Sequence, residues 1–244
     1  MKSKKILDIT INPESKTSIL EKILLYIKKP TGFFHIVSLN PENLVISTEN
    51  ESFKKVIETA QIKIVDGVGV VLAARWLGVE AGERVTGVGL MEDLLKMASD
   101  RRLRVLMIGG KLNLALRLAQ CYQKKYPEAK FFGLGGISDI QNPKKTEEKT
   151  IFDIVTDYKP HLVFVAFGSP YQELWIERHK KEFNNCVVMG VGGAFDYLSG
   201  NINRPPTIIQ KLGLEWLYRL LHQPWRWRRQ MRLIRFICLF IFNN

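Results

Sequence analysis

The stretch IKIVDGVGVVLAARWLGVEAGERVTGVGL occupies residues 62–90 and carries one carboxylate into a turn flanked by glycines. Its first part, Ile62–Val65, is a short, mostly β-branched run bounded by turn residues, which predicts a buried strand of a parallel sheet. Asp66 follows at the carboxyl end of this strand, with Gly67 and Gly69 just beyond it. In an open α/β sheet, ligands bind outside the carboxyl ends of the strands, where glycines let a phosphate or sugar approach backbone N–H groups. The pattern therefore predicts an acid beside a bound ligand, although a helix cap in a tight turn fits the same residues.

The same alternation of short apolar runs and amphipathic segments continues along the chain in both directions. Further strands are predicted at residues 5–12, 33–39, 103–108, 130–134, 161–167 and 186–189, and further helices at 16–28, 52–60, 70–77, 112–125 and 145–158. Almost every predicted strand ends in glycines or small polar residues. Alternating β and α elements predict a parallel sheet with right-handed crossovers. The predicted fold class is α/β, a Rossmann-like, mostly parallel sheet with helices on both faces and a C-terminal helical appendage.

The composition is that of an ordinary globular protein, with 244 residues, 46% hydrophobic content and 25% charged residues. The three cysteines lack metal-ligand spacing and no signal peptide is visible, so we expect a reducing, cytoplasmic compartment. The longest late apolar run, residues 236–242, is shorter than the roughly 18 residues of a membrane span. The sequence therefore predicts no crossing of a bilayer.

The formal net charge of +12 is concentrated near the end, because residues 204–244 carry eight Lys or Arg against one acid. We therefore predict an α/β catalytic domain at 1–203 and a basic amphipathic helical appendage at 204–244. Helical spacing in the appendage places an apolar stripe and an arginine group on different faces of its second helix: Trp227, Met231, Ile234, Cys238 and Ile241 against Arg228, Arg232 and Arg235. This pattern is typical of a helix on an anionic membrane surface. A helix pair packed on the body is the alternative, and nucleic acid is not expected because it would leave the apolar face unexplained.

Other candidate side chains lie in the turns that follow the predicted strands. Ser38 and Asn40 precede Pro41, where Asn40 also fits a helix N-cap. Arg84 and Thr86 lie in a glycine-flanked loop predicted over residues 78–89. A guanidinium there offers bidentate hydrogen bonds to a diphosphate, although arginines in such loops are more often solvated.

Several familiar motifs are missing from the sequence. There is no full G-x-G-x-x-G after the first predicted strand and no G-x-x-x-x-G-K-[ST]. There is also no His-x-x-x-His, Cys-x-x-Cys or Asp-x-Asp, so neither a zinc site nor a pair of acids for a metal-chelated nucleotide sugar is visible. We therefore expect no cofactor and no metal. A Rossmann-type oxidoreductase and a non-catalytic membrane- or RNA-binding protein remain alternatives.

Six blocks of sequence follow one another in an order that is far more specific than any single block. They are VSLNPENL at 37–44, VDGVGVV at 65–71, ERVTGVGL at 83–90, GSPYQELWI at 168–176, GVGGAFDYLSG at 190–200, and RPP with GLEWLYRLLHQPWRWRR within 204–229. With these blocks the chain resembles the WecG/TagA/CpsF family of bacterial glycosyltransferases. The resemblance implies transfer from a UDP-sugar to a polyprenol-diphosphate-linked sugar by a peripheral protein at the cytoplasmic face of the membrane. In the teichoic-acid branch, N-acetylmannosamine is moved onto lipid-linked N-acetylglucosamine.

The resemblance also implies roles for individual residues. Asp66 would be the general base that takes a proton from the acceptor hydroxyl in a single, inverting displacement. Charge on the departing UDP would be stabilised by arginines rather than a metal: Arg84, Arg219, Arg226 and Arg229. The remaining expected contacts with the nucleotide and sugar are Ser38, Asn40, Gly67, Thr86, Gly109, Gly110, Gly168, Gln172, Glu173, Gly190, Gly192, Gly193 and Asp196. A purely structural role for Asp196 stays open, as does a homo-oligomer.

Overall fold

The computed structural model describes residues 5–12, 14–79, 82–111, 113–203, 205–206, 208–209, 213–224 and 227–242, without the side chains of residues 219, 228 and 229. The strands are β1 Lys5–Ile6, β2 Ile9–Thr10, β3 Phe34–Leu39, β4 Ile62–Val65, β5 Arg104–Gly109, β6 Lys130–Leu134, β7 Leu162–Ala166 and β8 Val187–Gly190. The helices of the body are α1 Lys16–Lys28, α2 Pro41–Glu49, α3 Glu51–Thr59, α4 Val68–Trp76, α5 Gly87–Asp100, α6 Leu114–Lys125, α7 Lys145–Tyr158, α8 Tyr171–Arg178 and α9 Ala194–Leu198. Two helices follow in the C-terminal segment, α10 Glu215–His222 and α11 Trp227–Phe242.

Six strands form one parallel sheet in the order β4-β3-β8-β7-β5-β6. The predicted α/β class is therefore confirmed. The chain runs from β3 outward to β4 and then returns to build the other half of the sheet, so the direction of winding reverses beside β3. Ligands of open α/β sheets bind at such a reversal, outside the carboxyl ends of the strands.

Side chains of successive strand residues point to opposite faces of the sheet, and each face is covered by helices. Ile36 and Met107 belong to a core cluster that holds α1, α5, α6 and α9 on one face. Val37 lies on the other face, in a cluster with α2, α3 and α4. Leu106 and Ile108 face the same way in a third cluster with α7 and α8. The carboxyl ends of the strands are left uncovered along one edge of these layers.

The predicted first strand at residues 5–12 is wrong. β1 and β2 are two residues each and pair antiparallel, outside the main sheet. Leu7 and Asp8 form the turn with φ angles of 45° and 65°, a left-handed conformation that Asp tolerates better than most residues. The reversal lets Ile6 and Ile9 both enter the core beside α3, which a single straight strand would not allow.

The last helix, α11, packs against α2 through a face that the sequence analysis did not single out. Phe236 and Phe240 are buried in the same core cluster as α2, α3 and α4. The predicted arginine face is also engaged, because Arg232 Nη1 lies 2.6 Å from Glu42 Oε1 and Arg235 forms an ion pair with Glu49. The predicted apolar stripe of α11 is nevertheless exposed, at Trp227, Met231, Ile234, Cys238 and Ile241. The division into domains at 1–203 and 204–244 stays a prediction.

Within the described part of the chain, no helix is both long and apolar enough to span a bilayer.

Candidate active site

The predicted acid lies where the carboxyl ends of four strands meet. A cavity of about 200 Å³ opens there, between the turns that follow β3, β4, β7 and β8. Its lining includes Ser38, Asp66, Ser169, Gln172 and Gly192. Five other predicted contacts also line this cavity: Asn40, Gly168, Glu173, Gly190 and Gly193. The structure thus brings together the candidates from four separate sequence blocks.

Asp66 is held by two backbone hydrogen bonds. Its N–H donates to Leu39 O at 2.8 Å, which ties the end of β4 to β3. Its Oδ2 accepts from the N–H of Gly87 at 3.0 Å, at the start of α5. A Cβ at Gly87 would lie 3.4 Å from both Asp66 Oδ2 and Ser38 Oγ, so Gly87 lies directly against both side chains. The carboxylate therefore contacts the start of α5, whereas the start of the following helix, α4, has no side-chain cap.

The surroundings of Asp66 make it a stronger base than an ordinary aspartate. Burial raises its pKa to about 6, an effect reinforced by the Glu215 carboxylate and opposed by the Gly87 N–H and by Arg84. Burial outweighs the hydrogen bond because removing a carboxylate from water disfavours its charged form strongly. Perturbed carboxylates in clefts are frequent at catalytic sites. Asp66 can accept a proton near neutral pH, as a general base must.

Gln172, predicted to contact substrate, joins two loops that line this cavity. Its Oε1 accepts from the N–H groups of Gly168 and Gly192, at 3.0 and 3.1 Å, and its Nε2 donates to Glu173 Oε1 at 2.7 Å. A Cβ at Gly190 would lie only 2.7 Å from Gln172 Nε2, so any larger residue there would displace the Gln172 side chain. The N–H groups of Gly168 and Gly192 thus already have a partner within the protein. Gln172 sets the shape of the pocket wall between β7 and β8.

Glu173 is buried beside Gln172 in the same pocket wall. Burial raises its pKa, and the hydrogen bond that Gln172 Nε2 donates to Glu173 Oε1 opposes that rise. A buried carboxyl of this kind is costly to ionise unless it is well paired. Glu173 therefore adds a polar carboxyl group to the lining of the smaller cavity.

Asn40 is the N-cap of α2, as its alternative interpretation predicted. Its Oδ1 accepts from Asn43 N–H at 2.8 Å. The side chain of Asn43, which sequence reasoning missed, donates to Ser38 O and accepts from Ser169 Oγ, each at 2.8 Å. The only signal for Asn43 was its position inside the block at 37–44. It connects the turn after β3 with the turn after β7.

A larger cavity of about 540 Å³ adjoins the first and shares Asn40, Glu42, Asp66 and Val88 with it. Gly67, Arg84 and Thr86 also line this larger cavity. Thr86 caps α5, since its Oγ1 accepts from Gly89 N–H at 3.1 Å. The loop predicted over 78–89 therefore ends three residues earlier, at Thr86, because a capped helix begins at Gly87.

Arg84 forms an ion pair with Glu215, an acid of the C-terminal segment that belongs to none of the predicted contacts. Its Nη2 lies 2.7 Å from Glu215 Oε1, at the first residue of α10. Both side chains are less than a quarter exposed, so the pair is only weakly screened by solvent. Arg84 and Glu215 both act on the pKa of Asp66. The C-terminal segment thus contributes directly to the electrostatics of the site.

Some predicted contacts lie elsewhere. Gly109 and Gly110 line neither cavity: added Cβ atoms would meet the Phe167 ring at 2.8 Å and the Leu114 Cβ at 2.9 Å, so both serve close packing after β5. Asp196, on α9, also lines neither cavity, and its backbone O accepts from Ile202 N–H. Arg226 and the side chains of Arg219 and Arg229 fall outside the described residues. Among the residues described, no group of three or more His, Cys, Asp or Glu side chains is placed to hold a metal ion.

Comparison with known proteins gives a consistent result. Residues 4–244 match the model of the glycosyl transferase WecG/TagA/CpsF family. A protein of Staphylococcus aureus named N-acetylglucosaminyldiphosphoundecaprenol N-acetyl-beta-D-mannosaminyltransferase is 31% identical over 229 residues, which cover 93% of this chain and 87% of that protein. A protein of the same name from Bacillus spizizenii is 31% identical over 212 residues, covering 87% of this chain and 80% of its own length.

Proposed function

Because the chain belongs to the WecG/TagA/CpsF family of glycosyl transferases, we propose that it transfers N-acetylmannosamine from a UDP-sugar to N-acetylglucosamine carried on a polyprenol diphosphate. The names of the two relatives support this sugar and this acceptor. The observation that carries the proposal is the position of Asp66, where a polar pocket and a larger cavity meet. Two substrates entering from the two cavities would have their reacting atoms on either side of this carboxylate.

The proposed reaction is a single displacement. Asp66 takes the proton from the attacking hydroxyl of the acceptor sugar as the oxygen of that hydroxyl bonds to the anomeric carbon of the donor. The bond from that carbon to the UDP oxygen breaks, and UDP leaves with the electron pair. Attack from the face opposite UDP inverts an α-linked donor to a β-linked product. A positioned base of this type contributes about 10² to 10⁴ in rate.

The donor sugar is assigned to the smaller cavity, whose polar lining suits hydroxyl and acetamido groups. Arg84 is a cation that lines the larger cavity and acts on the pKa of Asp66, and a diphosphate there would compete with Glu215 for its guanidinium. Electrostatic stabilisation of a leaving group in a partly dry site is worth several kcal/mol. Arg219, Arg226 and Arg229 are proposed to share this role, together with Arg84.

The pH dependence of the reaction follows from the raised pKa of Asp66. We expect kcat/KM to fall about tenfold per pH unit below a pKa near 6 and to level off above it, because only the ionised carboxylate accepts a proton. Steady-state rates measured between about pH 5 and about pH 8 test this fall in kcat/KM. A profile that stays flat down to about pH 5 would show that no group with this pKa controls transfer.

The proposed reaction uses no metal, because the sequence offers no Asp-x-Asp pair to chelate a donor diphosphate. We expect excess EDTA to change the initial rate by less than about twofold. The matched sample receives EDTA followed by an excess of Mg²⁺. Strong inhibition by EDTA that Mg²⁺ reverses would mean that a metal handles the leaving group.

We further propose that the protein binds the cytoplasmic face of the membrane peripherally, through α11. The support is an apolar stripe on this helix that stays exposed although its opposite face packs on α2. Because Arg232 and Arg235 are paired with acids of α2, the apolar stripe supplies much of the affinity for the membrane. The remaining basic residues of the C-terminal segment supply the attraction to anionic lipid.

Transfer from a panel of UDP-sugars to a polyprenyl-diphospho-N-acetylglucosamine acceptor, resolved by mass, tests the proposed activity. UDP-N-acetylmannosamine should give the highest kcat/KM, and UDP alone should raise the melting temperature of the protein. NAD serves as the control ligand and should cause no shift. A shift with NAD and none with UDP, together with no transfer from any donor, would favour the oxidoreductase alternative.

A further inference from the structure

We propose that the larger cavity is a groove for the first isoprene units of the acceptor's lipid chain. The proposal rests on the proposed function, since its occupant is the hydrocarbon part of the acceptor. The relatives' names specify undecaprenol but not where its chain lies. The groove is defined by α4 on one side and α11 on the other.

Both walls of the groove are mainly apolar. Leu72, Ala73 and Trp76 line it from α4. From α11 it is lined by Gln230 and by five apolar residues, Leu233, Phe236, Ile237, Phe240 and Ile241. A volume of about 540 Å³ is within the usual range for small-molecule sites, which are mainly lined by hydrophobic and aromatic side chains. The walls suit a hydrocarbon chain, whereas a nucleotide base placed between them would leave polar edges unpaired.

The groove leads from the proposed base to the protein surface. Asn40 and Asp66 line its inner end, next to the pocket assigned to the donor sugar. At its outer end, at least half of the residue surface is exposed for each of Leu72, Trp76 and Ile237. The α4 wall of nine residues extends about 13 Å. An acceptor bound along this path would place its sugar at Asp66 and its chain toward the apolar surface of α11.

Glycine allows the floor of the groove to form. A Cβ at Gly69 would lie 2.9 Å from Pro41 Cγ and 3.8 Å from the Phe236 ring. Gly69 therefore lets α4 approach α2 closely, with the Phe236 ring of α11 at an ordinary contact distance. The second glycine after Asp66 is explained by this helix packing, rather than by the phosphate contact that the sequence pattern suggested. The floor of the groove is thus built by the same turn that positions Asp66.

Two soluble acceptors separate chain recognition from catalysis. Both carry diphospho-N-acetylglucosamine, one on a farnesyl chain and the other on a methyl group, and both are assayed with the full-length protein without detergent or lipid. We expect kcat/KM to be at least about tenfold higher for the farnesyl acceptor, because apolar chain is buried in the groove. KM for the UDP-sugar should be the same with both acceptors.

Two variants place the effect in the groove, one from each wall. Leu72→Gln and Ile237→Gln should each lower kcat/KM for the farnesyl acceptor by about fivefold or more and leave the methyl acceptor unchanged. Leu25→Gln is the matched control: Leu25 of α1 is 65% exposed and Leu72 is 57% exposed, but Leu25 lies outside the groove. The control substitution should leave kcat/KM unchanged for both acceptors. Melting temperatures confirm that all three variants remain folded.

The outcomes distinguish this proposal from the proposed function. No preference for farnesyl in the wild-type protein, or equal losses in Leu72→Gln and Leu25→Gln, overturns the groove while transfer to the methyl acceptor continues. If wild-type protein transfers no sugar to either soluble acceptor or to the polyprenyl acceptor in liposomes, the proposed function itself fails.

Discussion

Asp66→Asn is expected to lower the turnover number for sugar transfer by about 10² to 10⁴, with donor KM nearly unchanged. The amide cannot accept the proton of the attacking hydroxyl, which is the one step that the carboxylate is proposed to perform. Its oxygen can still accept the hydrogen bond that Gly87 N–H now donates to Asp66 Oδ2. Initial rates at saturating acceptor, together with UDP binding by calorimetry, measure both effects.

Stability provides a second readout for the same variant. Because the folded-state pKa of Asp66 is raised to about 6, ionising it costs folding free energy as pH rises through that value. The folded protein bears none of this cost at a pH below the unfolded pKa of the group. The cost is fully present at neutral pH. We expect Asp66→Asn to be more stable than wild type by about 2–3 kcal/mol at neutral pH, a difference that shrinks in acid.

Asp157→Asn, on the exposed side of α7, controls for the loss of one negative charge and should leave turnover unchanged. Turnover of Asp66→Asn within a few-fold of wild type would remove Asp66 from the role of base. A variant that is inactive but has also lost UDP binding would instead indicate a structural role.

Replacing Trp227, Met231 and Ile234 together by Gln is expected to weaken liposome binding by about 10²-fold. These side chains are 56%, 49% and 54% exposed, so each has roughly half its surface available to the bilayer interface. Half-burial of such a side chain is worth about 1 kcal/mol. Co-sedimentation with vesicles of phosphatidylglycerol and phosphatidylcholine, over a range of lipid concentrations, measures the change.

The matched control replaces three apolar side chains far from α11: Leu25, Leu116 and Phe132, which are 65%, 42% and 41% exposed. This triple variant should bind vesicles as wild type does, and both variants should keep full activity on the methyl acceptor. Equal loss of binding in the two variants would mean that general surface hydrophobicity, not the stripe on α11, controls the membrane contact.

Point substitutions test the C-terminal segment better than its deletion. Phe236 and Phe240 are buried in the core with α2 and α4, and truncation of a buried Phe side chain typically costs about 3–5 kcal/mol. Deletion of the last helix would expose this core and remove one wall of the larger cavity. Loss of activity in such a truncation would therefore not separate membrane binding from folding.

The sequence predicts the regular elements well where periodicity is strong. Helices Lys16–Lys28 and Lys145–Tyr158 and strands Ile62–Val65 and Lys130–Leu134 were predicted to the residue. The hairpin at residues 5–12 was missed because its reversal depends on two residues in left-handed conformations, not on glycine. Helix α5 was not predicted, because Gly87 and Gly89 were interpreted as part of a loop, whereas Thr86 caps a helix that begins at Gly87.

The position of Asp66 was predictable because strand ends in a parallel sheet share one edge. Its partners were not predictable, because they come from distant parts of the chain. Arg84 and Glu215 are separated by 131 positions, and nothing in either local sequence specifies the other. Phe236 was overlooked for a different reason: α11 carries two apolar faces, and the longer stripe is the exposed one.

The anomeric configuration of the product tests the central claim most directly. The product formed from α-linked UDP-N-acetylmannosamine and the farnesyl acceptor can be assigned by the one-bond carbon–proton coupling at its anomeric carbon. A β-linked product is predicted, because Asp66 activates the acceptor hydroxyl for one direct displacement of UDP. An α-linked product would require two displacements or front-side attack, and would contradict the assignment of Asp66 as the base of an inverting transfer.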